Sequence, residues 1–216
     1  MERLVIFDLD GTLLNTIADL GNAANHTLAE LGLPQHTLDE YTLMVGNGMR
    51  KLIMRALPDE KASDDAFVDC TLAAFLKYYA DHIDLRTRPY PGIPELIKDL
   101  SAQGYKLAVA SNKIQAGAEK LIEKFFPDTD FVAVMGNSPK YPLKPDAALV
   151  EYIMDKAGTD RAHTVMVGDS GTDIQTARNA GIPIIAVSWG FRPRHELTSA
   201  NLIVDDAASL KKNLEL

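Results

Sequence analysis

The 216-residue chain has one cysteine, one tryptophan and fewer basic than acidic residues. Its lone cysteine, Cys70, cannot close an internal disulfide, so a packed core in a reducing compartment must hold the fold. Cys70 itself reads as a small buried apolar residue. Lys and Arg number 22 against 30 Asp and Glu, a formal charge of -8. That argues against a nucleic-acid partner, because a phosphate backbone demands a basic face. Local binding of a small anion is still open. No stretch approaches the ~20 apolar residues of a membrane span, and the opening apolar run stops at Asp8, too early for a signal peptide. A cytoplasmic protein without membrane contact is expected. The nucleotide signatures GxGxxG and GxxxxGK[ST] are missing, as are internal repeats and low-complexity segments.

What the chain does have is alternation. Apolar, β-rich runs recur at "LVIF" (4–7), "KLAVAS" (106–111), "FVAVM" (131–135), "TVMVGD" (164–169), "IIAVSW" (184–189) and "LIV" (202–204). Between them lie stretches with apolar residues at helical spacing, three of them closed by Gly104, Gly158 and Gly181. The pattern predicts an α/β fold, a doubly wound, mostly parallel Rossmann-like sheet with helices on both faces. One segment departs from it. Residues 15–88 carry three helical stretches (16–31, 38–57 and about 63–82) and no convincing strand, far beyond the two to six residues of an ordinary strand-to-helix loop. The expected division is a core of 1–14 and 89–216 with an all-helical cap at 15–88.

Polar groups close the main strands. Asp8 and Asp10 follow the first, Ser111 and Asn112 the second, and Asp169, with Asp173 beyond it, the fourth. A strand would project Asp8 and Asp10 to one side, so either one is protonated or a cation lies between them. Lys144 stands in "YPLKPD", where Pro145 suits a first helical position. Singly, each has a bland reading: a loop lysine, a helix-capping serine, an acid favouring a helix start. A parallel sheet gathers its strand ends, and ligands bind there. Together they suit phosphoryl transfer. Oxygen ligands from Asp8 and Asp169 fit magnesium, Lys144 and the donors around Ser111 could hold phosphoryl oxygens, and Asp8 could attack phosphorus. Asp10 would then serve as acid and base.

"DLDGTLLNT", Ser111, Lys144 and "GDSGTD" resemble, in order, the four motifs of the haloacid-dehalogenase-like hydrolases. The resemblance implies a nucleophile at Asp8 and an acid/base at Asp10 whose backbone carbonyl also binds magnesium. It further implies a metal ligand at Asp169, a supporting acid at Asp173 and phosphate contacts from Ser111, Asn112 and Lys144. Within the family, "VGNGMRKL", "PYPGIPELIKDL", "ASNK" and "VSWGF" are similar to segments of the phosphoglycolate phosphatases. By that likeness the loop at Gly46 faces a small phosphorylated metabolite, and Arg50 is the nearby cation for a substrate carboxylate. A β-phosphoglucomutase-like activity is the rival within the family. A trypsin-like reading of "GDSG" requires an all-β framework. A phosphoacceptor receiver domain shares the sheet but has no helical insertion of this size. Monomer and homodimer are both open.

Overall fold

Leu4, Val5, Ile6 and Phe7 are fully buried, as a run covered on both faces must be. They form strand β1 (Leu4–Phe7) of the computed structural model, which describes residues 3–214. The other strands are β2 (Leu14–Asn15), β3 (Arg88–Pro89), β4 (Lys106–Ile114), β5 (Phe131–Asn137), β6 (Thr164–Gly168), β7 (Ile184–Val187) and β8 (Leu202–Val204). The α-helices are α1 (Ile17–Glu30), α2 (Leu38–Met44), α3 (Met49–Ala56), α4 (Asp59–Ala62), α5 (Asp65–His82), α6 (Ile93–Ala102), α7 (Gln115–Phe125), α8 (Ala148–Ala157), α9 (Gly171–Ala180) and α10 (Ala207–Leu214). Six strands make one parallel sheet in the order β5-β4-β1-β6-β7-β8.

The period of two along each strand sorts its side chains between two cores. Val5, Phe7, Val109 and Val167 face α6, α7 and α10, through Leu96, Leu121 and Leu210. Leu4, Ile6, Ala108 and Met166 face α8 and α9, through Ile153 and Ala177. The chain is therefore the doubly wound α/β fold that its alternation predicts. Among the described residues no helix is long and apolar enough to cross a membrane.

The segment between β2 and β3 is helical, but its ends are not. Leu14 pairs with Pro89 and Asn15 with Arg88 in a short antiparallel ribbon, which the sequence reading missed. Buried Asp19 braces that ribbon by accepting from the backbone N–H groups of Arg86 and Thr87. The predicted helix over 38–57 is two helices, α2 and α3. The chain breaks at Val45–Gly48 because Gly46 and Gly48 take φ of +101° and +87°, which no α-helix accommodates. Cys70 is exposed, contrary to expectation. On α5 the buried positions are Val68, Thr71, Phe75 and Tyr79, and Cys70 lies off that stripe.

Candidate active site

Phe7 stands level with Val109 on one side and Val167 on the other. The residues just beyond these, Asp8, Ser111 and Asp169, therefore emerge together at the sheet's carboxyl end. The strand stops at Phe7, so Asp8 and Asp10 do not continue a pleat side by side as predicted. The chain turns there, with Leu9 N–H donating to Asp8 Oδ1 at 2.7 Å. Gly11 completes the turn at φ +88°, and a Cβ on it would overlap the Asp169 carboxylate. Only glycine meets both conditions.

Lys144 Nζ lies 3.0 Å from Asp8 Oδ1 and 2.7 Å from Asp173 Oδ1, with all three groups buried. Asp173 also forms a capping box at the start of α9, taking the Ser170 hydroxyl at 2.6 Å on Oδ2. The helix-start reading of Asp173 therefore holds, and the same carboxylate reaches Lys144. Asp169 accepts from Phe191 N–H at 2.7 Å and from the Thr12 hydroxyl at 3.3 Å. The Asp8 carboxyl is pushed up to about 7 by burial foremost, with Lys144 opposing the rise and Asp173 and Asp10 adding to it. Asp169 is held well above the carboxylate range by burial, then by Asp173 and Asp8. Burial would lower Lys144, but Asp173 and Asp8 outweigh it and hold its ammonium above the usual value.

Asp8, Asp169 and Asp173 each offer an oxygen within 4.8 Å of the others. Such hard donors suit a divalent cation, which would offset both the burial and the mutual repulsion that raise Asp8 and Asp169. Asp173 already holds Lys144 and Ser170, so Asp8 and Asp169 are the better placed to ligate. The Asp10 carboxylate is not in this cluster. It takes Lys113 Nζ at 3.0 and 3.3 Å, and Lys113 also donates to the Tyr79 hydroxyl of α5 at 2.7 Å.

Ser111, Asn112 and Lys144 all line the cleft above β1, which is partly open to solvent. Asn112 spends its side-chain amide on backbone: Nδ2 donates to Gly46 O and Lys144 O, and Oδ1 accepts from Lys144 N–H. It therefore ties the loops of Gly46 and Lys144 together at the edge of the cleft. Pro145 is not a first helical residue, since α8 begins at Ala148. Gly46 lines the cleft as expected. Arg50 does not: its guanidinium is turned to Asp65 at 2.6 Å and Asp69 at 2.8 Å, on the outer side of α3. The cation at the roof is Arg192, which sequence reasoning missed together with Lys113, Thr12 and Tyr79. Lys113 had a visible signal, a lysine ending a buried strand in "ASNK". Arg192 had none.

Comparison with known proteins gives one consistent outcome. The family model described as haloacid dehalogenase-like hydrolase matches residues 5–187. A phosphoglycolate phosphatase of Agrobacterium fabrum is 40% identical over 213 residues, covering 97% of this chain and 91% of that one. One from Rhodospirillum rubrum is 37% identical over 219 residues, with 97% and 90% covered. The solved structure of a candidate phosphoglycolate phosphatase from Lactobacillus delbrueckii subsp. bulgaricus superposes with a TM-score of 0.92 at 33% identity, over 99% of both chains.

Proposed function

The chain belongs to the haloacid dehalogenase-like hydrolase family, and from that premise we propose that it is a magnesium-dependent phosphatase of small phosphomonoesters resembling 2-phosphoglycolate. The observation that carries this reading is the chain of contacts Asp8–Lys144–Asp173 at the end of β1, with an Asp169 oxygen within reach of Asp8. Asp8 is the nucleophile, attacking phosphorus to form an aspartyl phosphate. The Lys144 ammonium, already against Asp8, and the Ser111 hydroxyl hold the phosphoryl oxygens as charge spreads over them. Asp10, kept apart on Lys113, protonates the leaving oxygen and then takes a proton from the attacking water. A magnesium ion held by Asp8 and Asp169, with the Asp10 backbone carbonyl as a further ligand, would offset the repulsion between carboxylate and phosphate dianion. Asp173 supports that site by orienting Lys144 and the start of α9. Residues 15–88 act as a cap that closes the cleft over the sheet.

The names of the relatives support 2-phosphoglycolate as the first substrate to try. The test is inorganic phosphate release from a panel of phosphorylated metabolites, before and after chelation and with magnesium restored. Activity should vanish with the chelator and return with magnesium. Asp8→Asn should fall below about one percent of the parent, since an amide is a poor nucleophile. Phosphate release that survives either treatment would end the reading.

A further inference from the structure

Three cations line the cleft: Lys113, Lys144 and Arg192. Both lysines are committed to carboxylates, Lys113 to Asp10 and Lys144 to Asp8 and Asp173. Arg192 is not. Its Nη1 donates to Thr42 O at 3.0 Å and its Nη2 to Val45 O at 2.7 Å. Among the described residues the remaining donors of its fork have no partner, and no carboxylate lies within ion-pair distance of it. Two neutral carbonyls do not cancel a guanidinium's charge, so the roof carries net positive charge opposite the acids of the floor. The geometry also fixes where that charge stands. Phe191, the preceding residue, is tied to Asp169 through its backbone N–H, and a Cβ on Gly46 would sit 3.6 Å from Arg192 Nη2.

From this we infer that Arg192 determines specificity by reading a carboxylate on the phosphomonoester, at the end of the cleft remote from phosphorus. The inference rests on the phosphatase reading above and adds to it the residue that meets the non-reacting end. A planar fork with unspent N–H groups suits a carboxylate in two-point geometry. Lys144 and Ser111 stand at the phosphoryl end, and a second anionic group needs a cation of its own. Roof fastening does not depend on Arg192 alone. Asn47 Nδ2 donates to Thr172 Oγ1 at 3.0 Å, and Asn112 Nδ2 to Gly46 O at 3.1 Å. The loop at 45–48 therefore keeps two ties to the core when the guanidinium is removed.

The test compares kcat/KM for 2-phosphoglycolate with that for its carboxamide analogue, which keeps the shape and loses the charge. The parent should prefer the acid. Arg192→Ala should lower turnover of the acid by about ten- to a hundredfold and leave the amide nearly unchanged, while Arg192→Lys restores part of the preference. Asn47→Ala, which removes a tie and no charge, should change both substrates alike. If Arg192→Ala slows acid and amide equally, Arg192 is only a fastening and the inference is overturned. If the variant keeps the preference for the acid, the inference falls and the phosphatase reading stands. If the parent releases phosphate from both and prefers neither, the carboxylate reading falls with it. A parent that releases phosphate from neither of these, nor from an aryl phosphate, overturns the phosphatase reading itself.

Discussion

At the floor of the cleft both lysines are sealed among acids, whereas at its roof the polar contacts run mainly to backbone carbonyls. Lys144 and Lys113 have side chains 1% and 0% exposed. Arg192 is only partly buried, and its bonds end on Thr42 O and Val45 O. Charges fixed in a buried floor need no rearrangement as negative charge develops, which is where an enzyme gains most from electrostatics. Carbonyls, by contrast, are present whatever side chains the loop carries. The roof residue that meets a substrate can therefore change without disturbing the reacting groups. Floor and roof can be separated by experiment.

The largest effect on stability belongs to Lys144→Met. Removing the ammonium leaves the Asp8 and Asp173 carboxylates buried without their shared cation. Breaking a buried pair by deleting one partner costs about 3–5 kcal/mol. Urea denaturation in metal-free buffer should register a loss of that order, and phosphate release should collapse with it. A loss no larger than that of an average surface variant would mean that the acids, not the lysine, organise the floor.

A smaller effect concerns pH and sharpens the same contrast. Burial foremost holds the Asp8 carboxyl up at about 7 in the folded chain, against a reference of 3.8. A folded value above the unfolded one means a contribution to stability that is complete below about 4 and gone once pH has risen through about 7. Asp8→Asn cannot titrate and so lacks that contribution's pH dependence. Between about pH 4 and 7, without metal, the parent should lose several degrees of melting temperature relative to this variant. A constant gap between the two proteins would show that burial does not hold Asp8 up.

Legibility in the sequence follows the same division. Asp8, Ser111, Lys144 and Asp169 could be read because each sits in a short motif at or near a parallel strand end, and parallel register brings such ends together. The role of Lys113 needs partners 103 and 34 residues away, Asp10 and Tyr79, so the lysine in "ASNK" was visible while its task was not. Arg192 is harder still, since its partners lie 150 and 147 residues off and present only carbonyls. The helical stretch over 38–57 hides where the helix ends because its apolar spacing continues through the Gly46 loop, while two positive-φ glycines end the helix at Val45–Gly48. The β2–β3 ribbon, two residues a side, is too short to leave a period-two signal.

The smallest expected effect is that of Arg50→Ala, and it tests whether the substrate-facing cation has been moved to the right residue. In α3 the buried side is Met49, Leu52, Ile53 and Ala56. Arg50 leaves that side and meets Asp65 and Asp69, one turn apart on α5. The hydrogen bonds it donates to these two acids raise the guanidinium's pKa further, but its charge is already permanent at any working pH. Exposed pairs of this kind contribute little, because water and salt screen them and both side chains lose freedom. Arg50→Ala should therefore shift the melting temperature only slightly and leave the ratio of kcat/KM for 2-phosphoglycolate and its carboxamide within about twofold of the parent. The melting shift should shrink further as salt is raised, since the pair is open to solvent. Should the ratio fall tenfold instead, Arg50 would have to leave both aspartates and swing into the cleft during turnover, and the roof would hold a second cation that its pairing with Asp65 and Asp69 keeps outside.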